Sequence, residues 1–170
     1  PVPKLIKADE KTKEIQLEFI EGKKLAEHLE NLDYKKVSKE IGKNLAKIHD
    51  AGIIHGDLTT SNMIYVEEKN KINKTNKKVK KDRKANPSEN HRDNSKVYFI
   101  DFGLGFHSDK IEDKATDLHL IKEALEAKHH SIYEQAFKAV LEGYKTSRHS
   151  ASVLKQLEKV EKRGRYKAQY

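Results

Sequence analysis

Two periods of apolar residues divide the chain. Ile15-Gln16-Leu17-Glu18-Phe19-Ile20 alternates apolar and polar positions, as a half-buried strand does, and the run breaks at Glu21-Gly22. Before it, Pro1-Val2-Pro3-Lys4-Leu5-Ile6 reads as an extended edge segment, because each proline fixes its own φ and pushes its predecessor out of the helical region. Together the two predict a hairpin. From Leu25 the period becomes helical. Leu25, Leu29 and Leu32 form one face, and Val37, Ile41, Leu45 and Ile48 form a second that Gly52 stops. Met63-Ile64-Tyr65-Val66 and Val97-Tyr98-Phe99-Ile100 are two short β-rich runs. Three further helices are predicted. Leu118, Ile121, Ala124 and Leu125 mark the first. Tyr133, Phe137, Val140, Leu141 and Tyr144 mark the second, with Ser131 and Glu134 spaced as a capping box. Val153, Leu154, Leu157 and Val160 mark the third, which should end near Gly164.

Composition changes this picture in one place. The chain of 170 residues carries 35 Lys and Arg against 27 Asp and Glu, but positions 69 to 96 hold eleven of those bases and three of the acids. The rest is therefore electrically balanced, 24 against 24. Segment 67–96 has too few apolar residues to offset its ordering entropy, so it is expected to be a disordered Lys- and Asn-rich insertion. It reads as a nucleic-acid arm or as a tolerated surface insertion. Without cysteine there is no disulfide framework and no thiol chemistry, and cytoplasmic or nuclear placement is the expectation. No apolar run approaches a membrane span. His129 and His130 are adjacent and so point to different sides of a helix, which argues against a zinc site.

Chemistry concentrates in two stretches. His55-Gly56-Asp57-Leu58-Thr59-Thr60-Ser61-Asn62 places an Asn five residues after a His-x-Asp pair, the spacing of a kinase catalytic loop. Phosphoryl transfer needs a carboxylate to orient and deprotonate the attacking hydroxyl, and side-chain oxygens to hold Mg²⁺. Asp57 is the candidate base and Asn62 a candidate metal ligand. Phe99-Ile100-Asp101-Phe102-Gly103 carries Asp-Phe-Gly at a strand end, with Asp101 as the second metal candidate. Asp57 and Asp101 are 44 positions apart, and without the 28 residues from 69 to 96 only 16, enough for one tight hairpin. Asp57 and Asn62 could each be turn formers, and Asp-Phe-Gly can arise by chance, but the ordered pair at this spacing favours the chemistry. His55 reads as structural, packing against the metal loop. Upstream, Leu17 to Gly22 sits where an adenine-binding hinge would be. The Glu18 carbonyl and the Ile20 amide and carbonyl would bind the base, Leu17 would be the gatekeeper, and Ile64 and Ile100 would lie below the ring. An ordinary hairpin is the alternative.

Glu18-x-Ile20-Glu21-Gly22, the His55 to Asn62 loop, Ile100-Asp101-Phe102-Gly103-Leu104-Gly105, Glu112-Asp113-Lys114-Ala115-Thr116-Asp117-Leu118 and Arg163-Gly164-Arg165 together resemble the KEOPS/EKC family of small atypical Ser/Thr protein kinases. The resemblance covers the chain outside the insertion. It implies an α+β, protein-kinase-like fold, with residues 1–22 as the last two strands and hinge of the N-lobe and 23–170 as a mainly helical C-lobe. It also implies ATP and Mg²⁺ as cofactors, and kinase or ATPase turnover supporting threonylcarbamoyl modification of tRNA adenosine. The implied partners are the threonylcarbamoyl transferase subunit, a small subunit docking on the N-lobe, and tRNA through the complex. Gly56 stands where regulated kinases carry an Arg that reads a phosphorylated activation loop, and only 16 positions separate Asp101 from Asp117, so that switch should be absent. Thr59 stands where many Ser/Thr kinases place a phosphate-contacting Lys. Asp117 resembles the buried helix Asp that holds the catalytic-loop backbone, with a plain helix N-terminal acid as the alternative. The basic residues from Arg163 to Lys167 resemble the family's C-terminus near tRNA, or a solvated helix end.

A Gly-rich loop and a strand Lys paired to a helix Glu are not found in these 170 residues. The chain is accordingly expected to start just before the fourth N-lobe strand. Two other readings stay open: a small-molecule phosphotransferase of the aminoglycoside or choline kinase type, and a non-catalytic docking remnant.

Overall fold

The computed structural model describes residues 1–67 and 95–167, with the backbone alone for 164–167. The expected disorder of the insertion falls on 68–94, outside the described residues, while Lys96 joins a strand. A hairpin opens the chain, with β1 (Leu5–Asp9) antiparallel to β2 (Glu14–Leu17) and a register irregularity between Leu5 and Lys7. The alternation at Ile15 to Ile20 predicted a longer, half-buried strand. Instead β2 stops at Leu17, and Ile15, Leu17 and Phe19 are exposed. The reason lies two residues beyond Ile20. A Cβ on Gly22 would stand 2.5 Å from the Tyr65 carbonyl oxygen, so the chain must leave the hairpin to press its backbone onto a second sheet.

That sheet is β3 (Lys23–Lys24), β5 (Met63–Val66) and β6 (Lys96–Phe99), antiparallel with β5 in the middle. The predicted β-rich runs therefore pair with each other, Met63 opposite Phe99. A third pairing escaped the sequence: β4 (Ile53–Ile54) lies antiparallel to β7 (Phe106–His107). Two residues per strand leave no period to detect.

The helical part is α1 (Leu25–His28) running into a 3-10 turn over Leu29–Asn31, then α2 (Tyr34–Asp50), α3 (Ile111–Lys128), α4 (Tyr133–Tyr144) and α5 (Ser150–Lys167). Asp33 caps α2 by accepting from the Lys36 amide at 3.2 Å, and Gly52 ends it with φ of +73°, a conformation glycine adopts without steric cost. The capping box does not form. Ile132, not Ser131, precedes α4, and the Ser131 hydroxyl donates to Glu30 instead. Helix α5 also passes through Gly164 rather than stopping there. Among the described residues no helix is long and apolar enough to cross a membrane.

One core joins these layers. Leu25, Ile41, Leu45, Leu58, Phe99 and Leu118 are fully or almost fully buried in it. Leu58 has a particular part in this core, because it roots the loop between β4 and β5 in the same interior that α2 and α3 share. Helices α2 and α4 approach until their backbones touch. A Cβ on Gly42 would lie 1.9 Å from the Val140 carbonyl oxygen, and one on Gly143 would lie 2.0 Å from that of Lys39. Gly42→Ala and Gly143→Ala should each lower stability by about 3 kcal/mol or more, because backbone cannot yield as a side chain does. Urea unfolding measures this, and unchanged midpoints would contradict the contact.

Candidate active site

The segment between β4 and β5 is held from three sides. Asp117, on α3 and almost wholly buried, turns its carboxylate onto the loop backbone: Oδ2 accepts from the His55 amide at 2.7 Å and Oδ1 from the Gly56 amide at 2.9 Å. Gly56 has φ of +80°, and a Cβ there would stand 2.4 Å from the Leu104 carbonyl oxygen. No side chain fits at that position, so glycine there is required by the path this chain's loop takes past Leu104. His55 is buried, with its ring against Phe102 at a centroid distance of 4.5 Å and edge-on to Phe99 at 6.1 Å. The Asp57 amide donates to His55 Nδ1 at 3.3 Å, so Nε2 carries the proton and gives it to the Ile100 carbonyl at 3.2 Å. His55 thus ties the Asp57 loop to the residue before Asp101.

Asn62 closes the arrangement. Its side-chain nitrogen donates to the Asp57 carbonyl at 3.0 Å and to Asp57 Oδ2 at 2.9 Å. Both partners only accept, which fixes the amide orientation and leaves Oδ1 as the Asn62 atom able to meet a cation. The Asn62 carbonyl accepts from the Ile100 amide at 3.0 Å. Asp57, Asn62 and Asp101 are therefore linked through one short set of bonds. Asp101 is exposed, with φ of +62°, in the left-handed region that Asp tolerates better than most residues, and its Oδ1 accepts from the Gly103 amide at 3.3 Å. Such strain concentrates at functional sites.

The hinge candidates lie at the other edge. The Glu18 amide is used, donating to the Lys4 carbonyl at 2.9 Å, and its carboxylate accepts from the Lys4 amide. Ile20 makes no hydrogen bond among the described residues, so its amide and carbonyl remain open. Ile64 and Ile100 are both half-buried. Ile64 stands on β5, where a Cβ on Gly22 would meet its side chain at 2.7 Å. Leu17 is exposed.

No family model matches the chain. It is 38% identical over 172 residues to KEOPS complex subunit Bud32 of Pyrococcus abyssi, covering 98% of this chain and 66% of that protein. It is 33% identical over 166 residues to a probable serine/threonine-protein kinase BUD32 homolog of Archaeoglobus fulgidus, covering 98% of this chain and 68% of that one. The chain belongs to the Bud32 family. A probable bifunctional tRNA threonylcarbamoyladenosine biosynthesis protein of Methanococcus vannielii is 36% identical over 166 residues, which are 96% of this chain and 25% of that protein. The chain spans about two thirds of the length of the Pyrococcus and Archaeoglobus relatives and a quarter of the bifunctional one. Its α+β, mainly helical architecture is the protein-kinase-like fold that the motifs implied.

Three residues that support this candidate site, His49, Tyr144 and His129, were not singled out from sequence as part of it. Asp117 Oδ2 also meets His49 Nε2 at 3.1 Å, and His49 Nδ1 meets the Tyr144 hydroxyl at 2.8 Å. A carboxylate can only accept, so His49 carries its proton on Nε2 and accepts from Tyr144 on Nδ1. The signal for His49 was faint: a polar residue eight positions after Ile41, on the face that α2 buries. His129 carried no signal beyond its pairing with His130. Its Nε2 lies 3.3 Å from the Thr60 hydroxyl, beneath the same loop. Burial pushes both His49 and His129 below the ordinary histidine range, in His49 despite the Asp117 carboxylate, and burial pushes the Tyr144 phenol upward.

A histidine whose folded pKa lies below its unfolded value of 6.5 leaves the unfolded state binding more protons in that interval. Its contribution is complete above pH 6.5 and is lost as the pH falls below it. Between pH 7.5 and pH 5.5 the urea midpoint of the parent should therefore fall further than that of His49→Gln. Equal falls would mean that His49 is not held neutral.

Proposed function

We propose that this chain is the catalytic and complex-forming part of a Bud32-type serine/threonine protein kinase or ATPase that uses ATP with Mg²⁺. The observation that carries the reading is the bond from Asn62 to Asp57 Oδ2, joined through Ile100 to Asp101. It gathers one candidate base and two oxygen donors on one edge, in the order phosphoryl transfer needs. The donor set fits the ion. Asp101 offers a carboxylate and Asn62 an amide oxygen, hard ligands of the kind Mg²⁺ takes. Among the described residues no cluster of three or more His, Cys, Asp or Glu is placed to hold a metal by itself. That matches an ion shared with substrate phosphates, since Mg²⁺ is usually bound by one or two carboxylates plus phosphate and water.

Bound Mg²⁺ and ATP supply the transferable phosphoryl group and the charge that neutralises its oxygens. Asp57, with Oδ2 held by Asn62, orients the attacking hydroxyl of a protein serine or of water and accepts its proton on the other oxygen. Asn62 and Asp101 would hold the ion. The open Ile20 amide and carbonyl and the Glu18 carbonyl would bind the adenine, with Ile64 and Ile100 lining its site. Residues 1–22 serve as the end of the N-lobe with the hinge, and 23–170 as the C-lobe. In the cell the chain works with the threonylcarbamoyl transferase subunit, a small N-lobe-binding subunit and tRNA, in the cytoplasm or nucleus. The names of the relatives support this over a small-molecule phosphotransferase.

The test is Mg²⁺-dependent ATP hydrolysis by this chain, alone and with the transferase subunit and tRNA. Asp101→Ala should abolish metal-dependent nucleotide binding. Asp57→Ala should leave binding intact and lower turnover about a hundredfold or more. Equal loss of binding in both variants contradicts the assigned roles, and no turnover with partner binding intact makes the chain a docking piece.

A further inference from the structure

The loop carrying Asp57 and Asn62 is clamped at its start by Asp117 and at its end by the Ile100 amide. Its middle is a 3-10 turn over Thr60–Asn62, closed by one bond from the Asn62 amide to the Thr59 carbonyl at 3.1 Å. Thr60 points inward and is 2% exposed. What it meets is His129, itself 3% exposed, with Nε2 at 3.3 Å from the Thr60 hydroxyl. His129 ends α3, where its amide donates to the Leu125 carbonyl at 2.8 Å and its carbonyl accepts from the Ile132 amide at 3.0 Å. The ring therefore stands on a fixed backbone. On its other side Nδ1 faces Glu30 Oε1 at 3.8 Å, and Ser131 steadies that carboxylate by donating to it at 3.1 Å. The Glu30 carboxylate is too far for a hydrogen bond, but its charge favours the proton on Nδ1, the nearer ring nitrogen, and that tautomer leaves Nε2 to accept from the Thr60 hydroxyl. His130, next in the chain, stacks outward on Tyr133 and takes no part.

We infer that His129 is a positioning residue for the loop that bears Asp57 and Asn62, acting through the Thr60 hydroxyl. The inference rests on the roles proposed above for those two residues. Without the Thr60 donor, His129 Nε2 is buried and unpaired, and Thr60, two residues before Asn62, loses its only side-chain hydrogen bond among the described residues. Asn62 then no longer holds Asp57 Oδ2 in one place.

Thr60→Val keeps the shape and deletes the donor; Thr60→Ser keeps the donor. In Mg²⁺-ATP turnover, Thr60→Val and His129→Leu should each lower kcat about tenfold with KM for ATP little changed, and the double variant should be no worse than the weaker single. Thr60→Ser should restore the parent rate. A parent-like kcat in Thr60→Val, an equal loss in Thr60→Ser, or additive losses in the double variant overturn the inference. NMR decides it without turnover. In the parent, His129 Nε2 should be unprotonated at neutral pH, and the Asn62 side-chain amide resonances should move in Thr60→Val but not in Thr60→Ser. If the parent is inactive, the phosphoryl-transfer reading fails alone. A protonated Nε2 or an unmoved Asn62 amide sinks the positioning role whatever the activity.

Discussion

The carboxylate of Asp117 is the interaction on which the site depends. An ionised carboxylate taken out of water is costly unless its lone pairs are matched, and removing one partner of such a group costs more than the pair itself contributes. Here the matching is done by the His55 and Gly56 amides and by His49. The two backbone donors belong to the loop that must hold Asp57. The side-chain donor belongs to α2, whose other end carries the core. Burying one charge therefore fixes a helix, a loop and the direction in which the loop leaves β4. Burial pushes the His49 pKa down although Asp117 pulls it up, and the ring's Nδ1 lies where it can accept the Tyr144 hydroxyl proton.

A second constraint links the two functional segments. His55 has one ring nitrogen on the Asp57 amide and the other on the Ile100 carbonyl, with its ring against Phe102. Gly56 gives up its side-chain space to the Leu104 carbonyl, and the Asn62 carbonyl takes the Ile100 amide. Four contacts thus bridge residues 55–62 and 100–104. Asp101, in a strained left-handed conformation between them, keeps it because the flanking residues are already fixed. The distance between the proposed base and the proposed metal donors is set by these bridges and not by either loop alone.

Much of this was legible in the sequence, for a chemical reason in one case and a geometric one in the other. Asp57, Asn62 and Asp101 were named together because candidate groups for one reaction must sit at spacings the chain can close, and their loops are in fact bonded to each other. Helices that bury one face repeat every 3.6 residues, so α2 to α5 were visible from their apolar positions. What stayed hidden has no period. The contact of Gly42 with Val140 is backbone on backbone, β4 and β7 are two residues each, and His129 reaches Thr60 across 69 positions. Two of the local misreadings share a cause. Ser131 and Glu134 have the spacing of a capping box, and Ile15 to Phe19 have the alternation of a half-buried strand, but tertiary partners decided otherwise. Glu30 drew off the Ser131 hydroxyl, and the approach of Gly22 to β5 pulled the chain out of the hairpin.

The electrical balance of the chain outside the basic segment bears on how the proposed metal is held. A site that bound Mg²⁺ unaided would gather several carboxylates, and their mutual repulsion would have to be borne whenever the ion was away. This site brings one carboxylate, Asp101, and one neutral amide, Asn62, while Asp57 is occupied at Oδ2 by the Asn62 nitrogen. Two oxygen donors leave most of an octahedral shell to phosphate and water. Under the proposed reading the ion and the nucleotide therefore each complete the other's binding site. The protein's part is to keep the Asn62 oxygen aimed at the ion and the free Asp57 oxygen aimed at the incoming hydroxyl. Both aims are set by one side-chain amide, which is why the bonds that steady Asn62 matter more than their individual strengths suggest.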